Sequence, residues 1–177
     1  MVKTDITIAR AEPNDVAELN ALVNSAYRGE SSKQGWTTEA DLLDGQRTDE
    51  EMLQDMISPS NAMMLKATLD NKIVGCVYLR QDNDRLYLGM LTVQPTLQGS
   101  GIGKQLLKAS EQQARDMSCR GVYMTVITVR QELIEWYVRR GYKRTDETQP
   151  FKAGDPRYGI PKQPLEFVVL EKALLPH

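Results

Sequence analysis

The sequence predicts an α/β domain, and three stretches carry that prediction. The chain opens as a βα pair: Asp5–Arg10 alternates Ile6 and Ile8 with polar neighbours, and Pro13-Asn14-Asp15 then starts a helix with Val16, Leu19, Leu22 and Val23 at helical spacing. Three apolar-rich runs follow at Asn61–Leu69, Lys72–Arg80 and Arg85–Val93. Asp70-Asn71 and Gln81-Asp82-Asn83-Asp84 divide them, the turn signals of an antiparallel meander. The last of these strands leads past Pro95 through a glycine-dense stretch, Gln98-Gly99-Ser100-Gly101-Ile102-Gly103. A helix over Lys104–Met117 follows, in which Leu106, Leu107, Ser110, Ala114 and Met117 recur at helical intervals.

The remaining elements fit the same class. From Tyr27 to Ser60 the chain is polar and punctuated by Gly29, Gly35 and Gly45, with a helix around Asp49–Ile57 carrying Met52, Leu53, Met56 and Ile57. This segment reads as a lid. Gly121–Val129 is β-branched and apolar, a strand. Gln131–Arg140 is a helix with Leu133, Ile134, Tyr137 and Val138, stopped by Gly141 before a strand over Tyr142–Arg144. Residues 149–164 hold four prolines and two glycines and read as loop, and Leu165, Phe167 and Val169 alternate with Glu166 and Val168 in a last strand.

At 177 residues the chain supports one core, read as a single domain over residues 1–177. Hydrophobic residues at 41% and charged residues at 26% exclude a disordered or fibrous chain. The balance of 22 Lys+Arg against 24 Asp+Glu leaves a net charge of −2, without the basic excess that nucleic-acid binding needs. Two cysteines, Cys76 and Cys119, cannot build a disulfide framework or a thiolate zinc site and read as reduced core thiols. The only histidine is His177, the last residue, so mechanisms that need a held imidazole drop out and no metal is expected. No apolar stretch approaches the roughly 18 residues of a membrane span, and Met1–Arg10 lacks the apolar middle of a signal peptide. A cytoplasmic protein without a membrane partner is expected.

A strand, a glycine turn and a helix N-terminus in succession make an anion site, because unpaired backbone N–H groups converge there and the helix dipole favours negative charge. The spacing narrows the guest. Glycines at 99, 101 and 103 fail G-x-G-x-x-G, and Gln98 and Gln105 stand where the G-x-x-x-x-G-K-[ST] pattern needs Gly and Ser/Thr. A pyrophosphate held without Mg²⁺ remains.

These residues resemble the GNAT superfamily of acetyl-coenzyme A-dependent N-acetyltransferases. The family's [RQ]-x-x-G-x-[GA] loop after a strand is matched by Leu91-Thr92-Val93 followed by Gln98-x-x-Gly101-x-Gly103. A second family block, an aromatic-Tyr pair followed after three residues by Gly-aromatic, is matched by Trp136-Tyr137-Val138-Arg139-Arg140-Gly141-Tyr142. The likeness is strong over residues 89–142, and element order agrees over most of the chain. It implies a mixed, mainly antiparallel sheet of about seven strands flanked by helices, with the strand Arg85–Val93 splayed from a parallel Gly121–Val129 to leave a slot for acetyl-coenzyme A. By the same resemblance Leu91, Thr92 and Val93 pair with the pantetheine arm as another strand would, and Gln98, Gly99, Ser100, Gly101, Ile102, Gly103 and Lys104 hold the pyrophosphate. The Val93 N–H faces the thioester carbonyl, and Arg130 occupies the place of an Asn that contacts the cofactor in many members.

The implied reaction is direct acetyl transfer to a primary amine of a small molecule or peptide, without a covalent enzyme intermediate. An alkyl ammonium of pKa about 10.4 is only about one part in 2,500 neutral at pH 7, so a proton acceptor is required. The departing thiolate needs a proton, and Tyr137 occupies the family's general-acid position; the alternative for Tyr137 is a core aromatic beside Leu133 and Ile134. Where relatives carry a carboxylate base on the central strands, this chain has Tyr87, Gly89 and Thr125, so proton removal is assigned to ordered water, ending at Glu30, or to a step before the amine binds. Eight acidic residues between 30 and 55 would attract a cationic acceptor or simply form a solvated face. Tyr27, Glu30 and Trp36 are the substrate-wall candidates, and Arg47, Arg130 and Lys152 are alternatives that would receive an acceptor's carboxylate. Two other readings stay open: a catalytically silent acyl-coenzyme A sensor, and transfer of a longer acyl group past Gly89 and Met90. A homodimer is also left open.

Overall fold

The computed structural model describes residues 6–27, 43–44, 49–150, 160–161 and 166–174. The elements are β1 (Thr7–Arg10), α1 (Val16–Tyr27), β2 (Leu43–Asp44), α2 (Glu50–Ile57), β3 (Ala62–Leu69), β4 (Lys72–Asp82), β5 (Arg85–Val93), α3 (Ile102–Asp116), β6 (Gly121–Ile127), α4 (Gln131–Val138), β7 (Lys143–Pro150), β8 (Ile160–Pro161) and β9 (Glu166–Ala173). Seven strands form one sheet in the order β1-β3-β4-β5-β6-β9-β7. Every neighbouring pair in it is antiparallel except β5 and β6, which run parallel. The expected mixed, mainly antiparallel sheet with flanking helices is therefore present.

Local chemistry sets the element ends. Asp15 closes a 3-10 turn over Pro13–Asp15 by accepting the Glu12 N–H at 2.8 Å, and α1 follows. Asp49 caps α2 by accepting the Met52 N–H at 2.8 Å. Asp70 and Asn71 both adopt positive φ, 50° and 66°, the conformation a two-residue hairpin between β3 and β4 requires.

The sheet is covered on both faces. α3 and α4 supply Leu106, Leu107, Ile134 and Tyr137 to a core with Leu79, Leu86 and Leu88, whereas α1 and α2 supply Leu19, Val23 and Leu53 to a second core with Met64, Tyr78 and Met90. This double coverage explains why Ile73–Leu79 of β4 is buried without a break. Cys76 and Cys119 are buried and not joined in a disulfide, and burial, reinforced by the Asp84 carboxylate, pushes the Cys119 thiol up, opposite to an activated nucleophile.

Several boundaries differ from the sequence reading. The strand expected over Gly121–Val129 stops at Ile127, and the helix expected over Gln131–Arg140 stops at Val138. The strand expected over Tyr142–Arg144 runs instead from Lys143 to Pro150. Residues 149–164 are not all loop, because residues 149–150 finish β7 and Ile160–Pro161 pair with Leu43–Asp44 in a separate two-stranded sheet. A two-residue edge strand tolerates proline, which has no N–H to give. In β9 the expected alternation fails: Val168, Val169 and Leu170 are all buried, in a strand paired on both edges by β6 and β7. The segment read as a lid, Tyr27–Ser60, falls partly outside the described residues, at 28–42 and 45–48. Among the described residues no helix is long and apolar enough to cross a membrane.

Candidate active site

The site begins where β5 leaves β6. The two strands pair only over Arg85–Tyr87 and Gly121–Tyr123, and their pairing ends there. Just beyond, β5 carries a bulge: Cys76 pairs with Thr92 and Tyr78 with Gly89, so Met90 and Leu91 together oppose Val77. Met90 takes φ 56°, an uncommon conformation for a side chain of its size, and the Thr92 hydroxyl holds it by donating to the Met90 carbonyl at 2.8 Å. A bulge bends its strand, which accounts for the splay. The Gln94 N–H donates to Val74 O at 2.8 Å on the β4 side, and backbone groups alternate sides along a strand, so those of Val93 point away from β4.

The chain then turns through Pro95–Leu97 into the glycine stretch. Gly99 and Gly101 sit at φ 89° and 95°, where a side chain would be strained although the space is open. The first rung of α3 is Gln105 N–H to Gly101 O at 3.0 Å, so the amides of Ile102, Gly103 and Lys104 precede the helical ladder and lack an intrahelical acceptor. Free amides converging at a helix start are able to hold an anion. Gln98 ties the loop to β5 by donating from Nε2 to Val93 O at 3.3 Å. Two predicted loop residues stand apart. The Ser100 amide and hydroxyl both donate to Leu97 O, at 3.2 and 2.5 Å, and the Ile102 side chain is packed into the core, so Ile102 reaches the cradle through its backbone alone.

The opposite wall comes from α4. Arg130 stands at its N-cap, almost fully buried, with Nε 3.6 Å from the Glu132 carboxylate. Tyr137 is 5% exposed and meets Trp136 and Tyr142 edge-on, with ring centroids 5.0 and 5.7 Å apart. Between these walls lies a cleft of about 390 Å³ that brings together Leu91, Thr92, Val93, Gln98, Gly99, Gly101, Gly103, Lys104, Arg130 and Tyr137. Tyr27 is the last residue of α1, next to Ala26, which lines the cleft. Glu30, Trp36, Arg47 and Lys152 lie outside the described residues.

Sequence reasoning missed Trp136, Arg139 and Arg140, which also line the cleft. Their signal was present as the spacer residues around Tyr137. The described lining holds four cations, Lys104, Arg130, Arg139 and Arg140, and no carboxylate. Burial, then the neighbouring Arg139, pushes Arg140 below its ordinary range, a strain an anionic guest would relieve. A cation-lined cleft with a donor cradle, an exposed strand edge and an interior phenol fits a diphosphate-bearing chain such as coenzyme A. Among the described residues no group of three or more His, Cys, Asp or Glu could hold a metal ion.

Comparison with known proteins agrees. Residues 30–142 match the model of the acetyltransferase (GNAT) family. Acetyltransferase Atu2258 of Agrobacterium fabrum is 28% identical over 85 residues, a region that spans 48% of this chain and 61% of that protein. The fold is shared with the ribosomal-protein-S18-alanine N-acetyltransferase from Escherichia coli, at TM-score 0.70 and 13% identity over 96% of this chain and 94% of that one. It is shared too with the PaiA N-acetyltransferase from Thermoplasma acidophilum in complex with coenzyme A, at TM-score 0.70 and 16% identity over 96% and 99%. A GNAT-family acetyltransferase from Streptococcus pneumoniae aligns at TM-score 0.67 and 23% identity over 97% and 100%. With more than half its length covered by the family model, this chain belongs to the acetyltransferase (GNAT) family.

Proposed function

We propose that this protein moves an acetyl group from acetyl-coenzyme A directly to a primary amine of a small molecule or peptide. The observation that carries the reading is the meeting of the Ile102–Lys104 amides, the splayed edge of β5 and the Tyr137 side chain in one cleft. In this reading the donor supplies an acyl carbon activated by its bond to sulfur. The amides at the start of α3 and the cations Lys104, Arg139 and Arg140 bind the diphosphate. Leu91 and Val93 pair with the extended arm, and the Val93 N–H polarises the thioester carbonyl. As the amine nitrogen bonds to the acyl carbon and the carbon–sulfur bond breaks, Tyr137 gives its proton to the departing sulfur. The amine's own proton leaves through water, because Tyr87, Gly89 and Thr125 offer no carboxylate on the central strands.

An acetyl rather than a longer group is supported by Tyr87. A Cβ at position 89 would stand 2.9 Å from its ring and 3.0 Å from its hydroxyl, so the room over Gly89 is already filled. The protein's own partners in this reading are an amine acceptor and the acyl donor, and the place of action is the cytoplasm. The test is release of coenzyme A, followed with 5,5′-dithiobis(2-nitrobenzoate), over polyamines, amino acids, aminoglycosides and peptides. Acceptor-dependent release supports the transfer; tight binding of acetyl-coenzyme A without turnover on any acceptor overturns it in favour of a sensor.

A further inference from the structure

Next to the cleft wall that carries Arg140 lies a buried polar cluster that the transfer itself does not use. Glu111, on the buried side of α3, is 7% exposed, and its carboxylate takes two donors. The Tyr142 hydroxyl donates to Oε2 at 3.1 Å and Lys172 Nζ to Oε1 at 2.9 Å. The same ammonium donates again, to the Arg140 carbonyl at 3.0 Å. Three elements therefore meet at one ion pair: α3, which starts at the glycine loop, the end of α4 on the opposite wall, and β9. Neither Glu111 nor Lys172 lines the cleft. A pair so far removed from water adds little net stability, because desolvation offsets its attraction. What it does fix is geometry.

The geometry at stake is that of Arg140. Beyond the last residue of α4, Val138, the Arg140 amide donates to Tyr137 O at 2.9 Å and the Gly141 amide to Val138 O at 3.0 Å, which closes the helix end. Lys172 then holds the carbonyl of Arg140, a cation at the negative end of a helix. Gly141, at φ 98°, leaves room for it: a Cβ there would stand 3.1 Å from Lys172 Cε. At its other end the Arg140 guanidinium is stacked on Trp136 and bonded to the Trp136 carbonyl. We propose that Lys172, neutralised by Glu111, is a positioning residue for donor binding, which keeps the Arg140 guanidinium in the phosphate-binding wall by fixing the Arg140 backbone. A side chain anchored at both ends loses less freedom when an anion arrives.

This inference rests on the proposed function only for the role of Arg140 toward the donor's phosphates, so binding and turnover separate the two. Calorimetric titration of coenzyme A compares the parent, Glu111→Gln/Lys172→Met, Arg140→Gln and the three substitutions combined, with thermal unfolding as the check on the fold. Lys172 is replaced together with Glu111 because its loss alone would strand a buried charge, whereas glutamine at 111 still accepts from the Tyr142 hydroxyl. Glu111→Gln/Lys172→Gln, whose amide side chain is one bond shorter than lysine, is a second pair held to the same pattern. The paired variant is expected to bind coenzyme A about fivefold more weakly, as the binding-ready position of Arg140 becomes less populated. Arg140→Gln is expected to cost about tenfold, and the combination no more than Arg140→Gln alone, since the lysine acts through that side chain. Parent-like affinity in the paired variant, losses that multiply in the combination, or no binding of coenzyme A by the parent overturns the assignment. Absence of coenzyme A release with every amine, alongside the non-additive pattern, would count against acetyl transfer and leave the positioning role standing.

Discussion

Arg140 lies over the Trp136 indole, its guanidinium carbon 3.8 Å from the ring centroid, and donates from Nη1 to the Trp136 carbonyl at 2.8 Å. The stack holds a cation in the cleft wall, where Trp136 also stands 3.6 Å from the Cβ position of Gly103 on the glycine loop. A stacked arginine is already ordered before an anion arrives, so little side-chain freedom is lost on binding. Arg140→Gln is expected to weaken coenzyme A binding about tenfold and to flatten its salt dependence, read by calorimetry at two ionic strengths. An unchanged affinity would remove Arg140 from the phosphate wall.

Tyr137 is held by ring contacts on two sides, so replacing it by phenylalanine leaves the packing and removes only the hydroxyl. Tyr137→Phe is expected to lower kcat by about a hundredfold, the lower end of general-acid effects, with acetyl-coenzyme A affinity within about twofold of the parent. Steady-state rates with calorimetry decide it. A mutant as fast as the parent would mean that the sulfur takes its proton elsewhere.

The glycines of the loop are not equivalent. Gly101 has φ 95° with nothing within 4 Å of its Cβ position, whereas Gly103 is helical and an added Cβ would find Val93 and Trp136 at ordinary contact distances of 3.5 and 3.6 Å. Gly101→Ala therefore strains the backbone by about 1–2 kcal/mol and disturbs the cradle. Gly103→Ala gains up to about 1 kcal/mol of helix propensity. Thermal unfolding should rank Gly103→Ala at or above the parent and Gly101→Ala below it, and coenzyme A binding should fall in Gly101→Ala. Gly101→Glu should abolish that binding by bulk and like charge.

The sequence made much of this site legible because its parts are local. The strand, the turn and the helix that form the cradle are consecutive, and Asp70-Asn71 announced its hairpin through turn chemistry alone. What could not be read depends on neighbours distant in the chain. Glu111 looks like one more polar residue on α3, yet it is buried, accepting from the Tyr142 hydroxyl at 3.1 Å and from Lys172 Nζ at 2.9 Å, partners 31 and 61 residues away. Burial, then the Glu111 carboxylate, pushes the Tyr142 phenol far up, which keeps it protonated as a donor. Arg139 and Arg140 were visible as residues, but only the packing of the end of α4 beside the glycine loop, with Trp136 against Gly103, makes them part of the cleft. The place of β9 between β6 and β7, strands that begin 45 and 23 residues before it, likewise could not be read locally.

Asp15 joins the start of α1 to the sheet, since the carboxylate oxygen that accepts the Glu12 amide also takes Lys66 Nζ at 2.9 Å. Burial alone would raise the Asp15 pKa, but the Glu12 amide and Lys66 outweigh it and hold the carboxyl below its ordinary value. A carboxylate depressed in the fold contributes stability above its unfolded pKa of about 3.9 and loses that contribution as pH falls through the folded value. Lys66 is shifted upward, chiefly by its hydrogen bond to Asp15, so its share is complete below about 10.4 and fades only in alkali. Asp15→Asn keeps a side-chain acceptor for the Glu12 amide and removes the charge. Its side chain and that of Lys66 are only 16% and 21% exposed, which favours a loss of about 1 kcal/mol at pH 7 by urea unfolding. That gap should close as pH falls through the lowered value of the folded carboxyl, where the parent side chain also becomes neutral; a gap that persists after the carboxyl is protonated would trace the loss to the cap rather than to the ion pair.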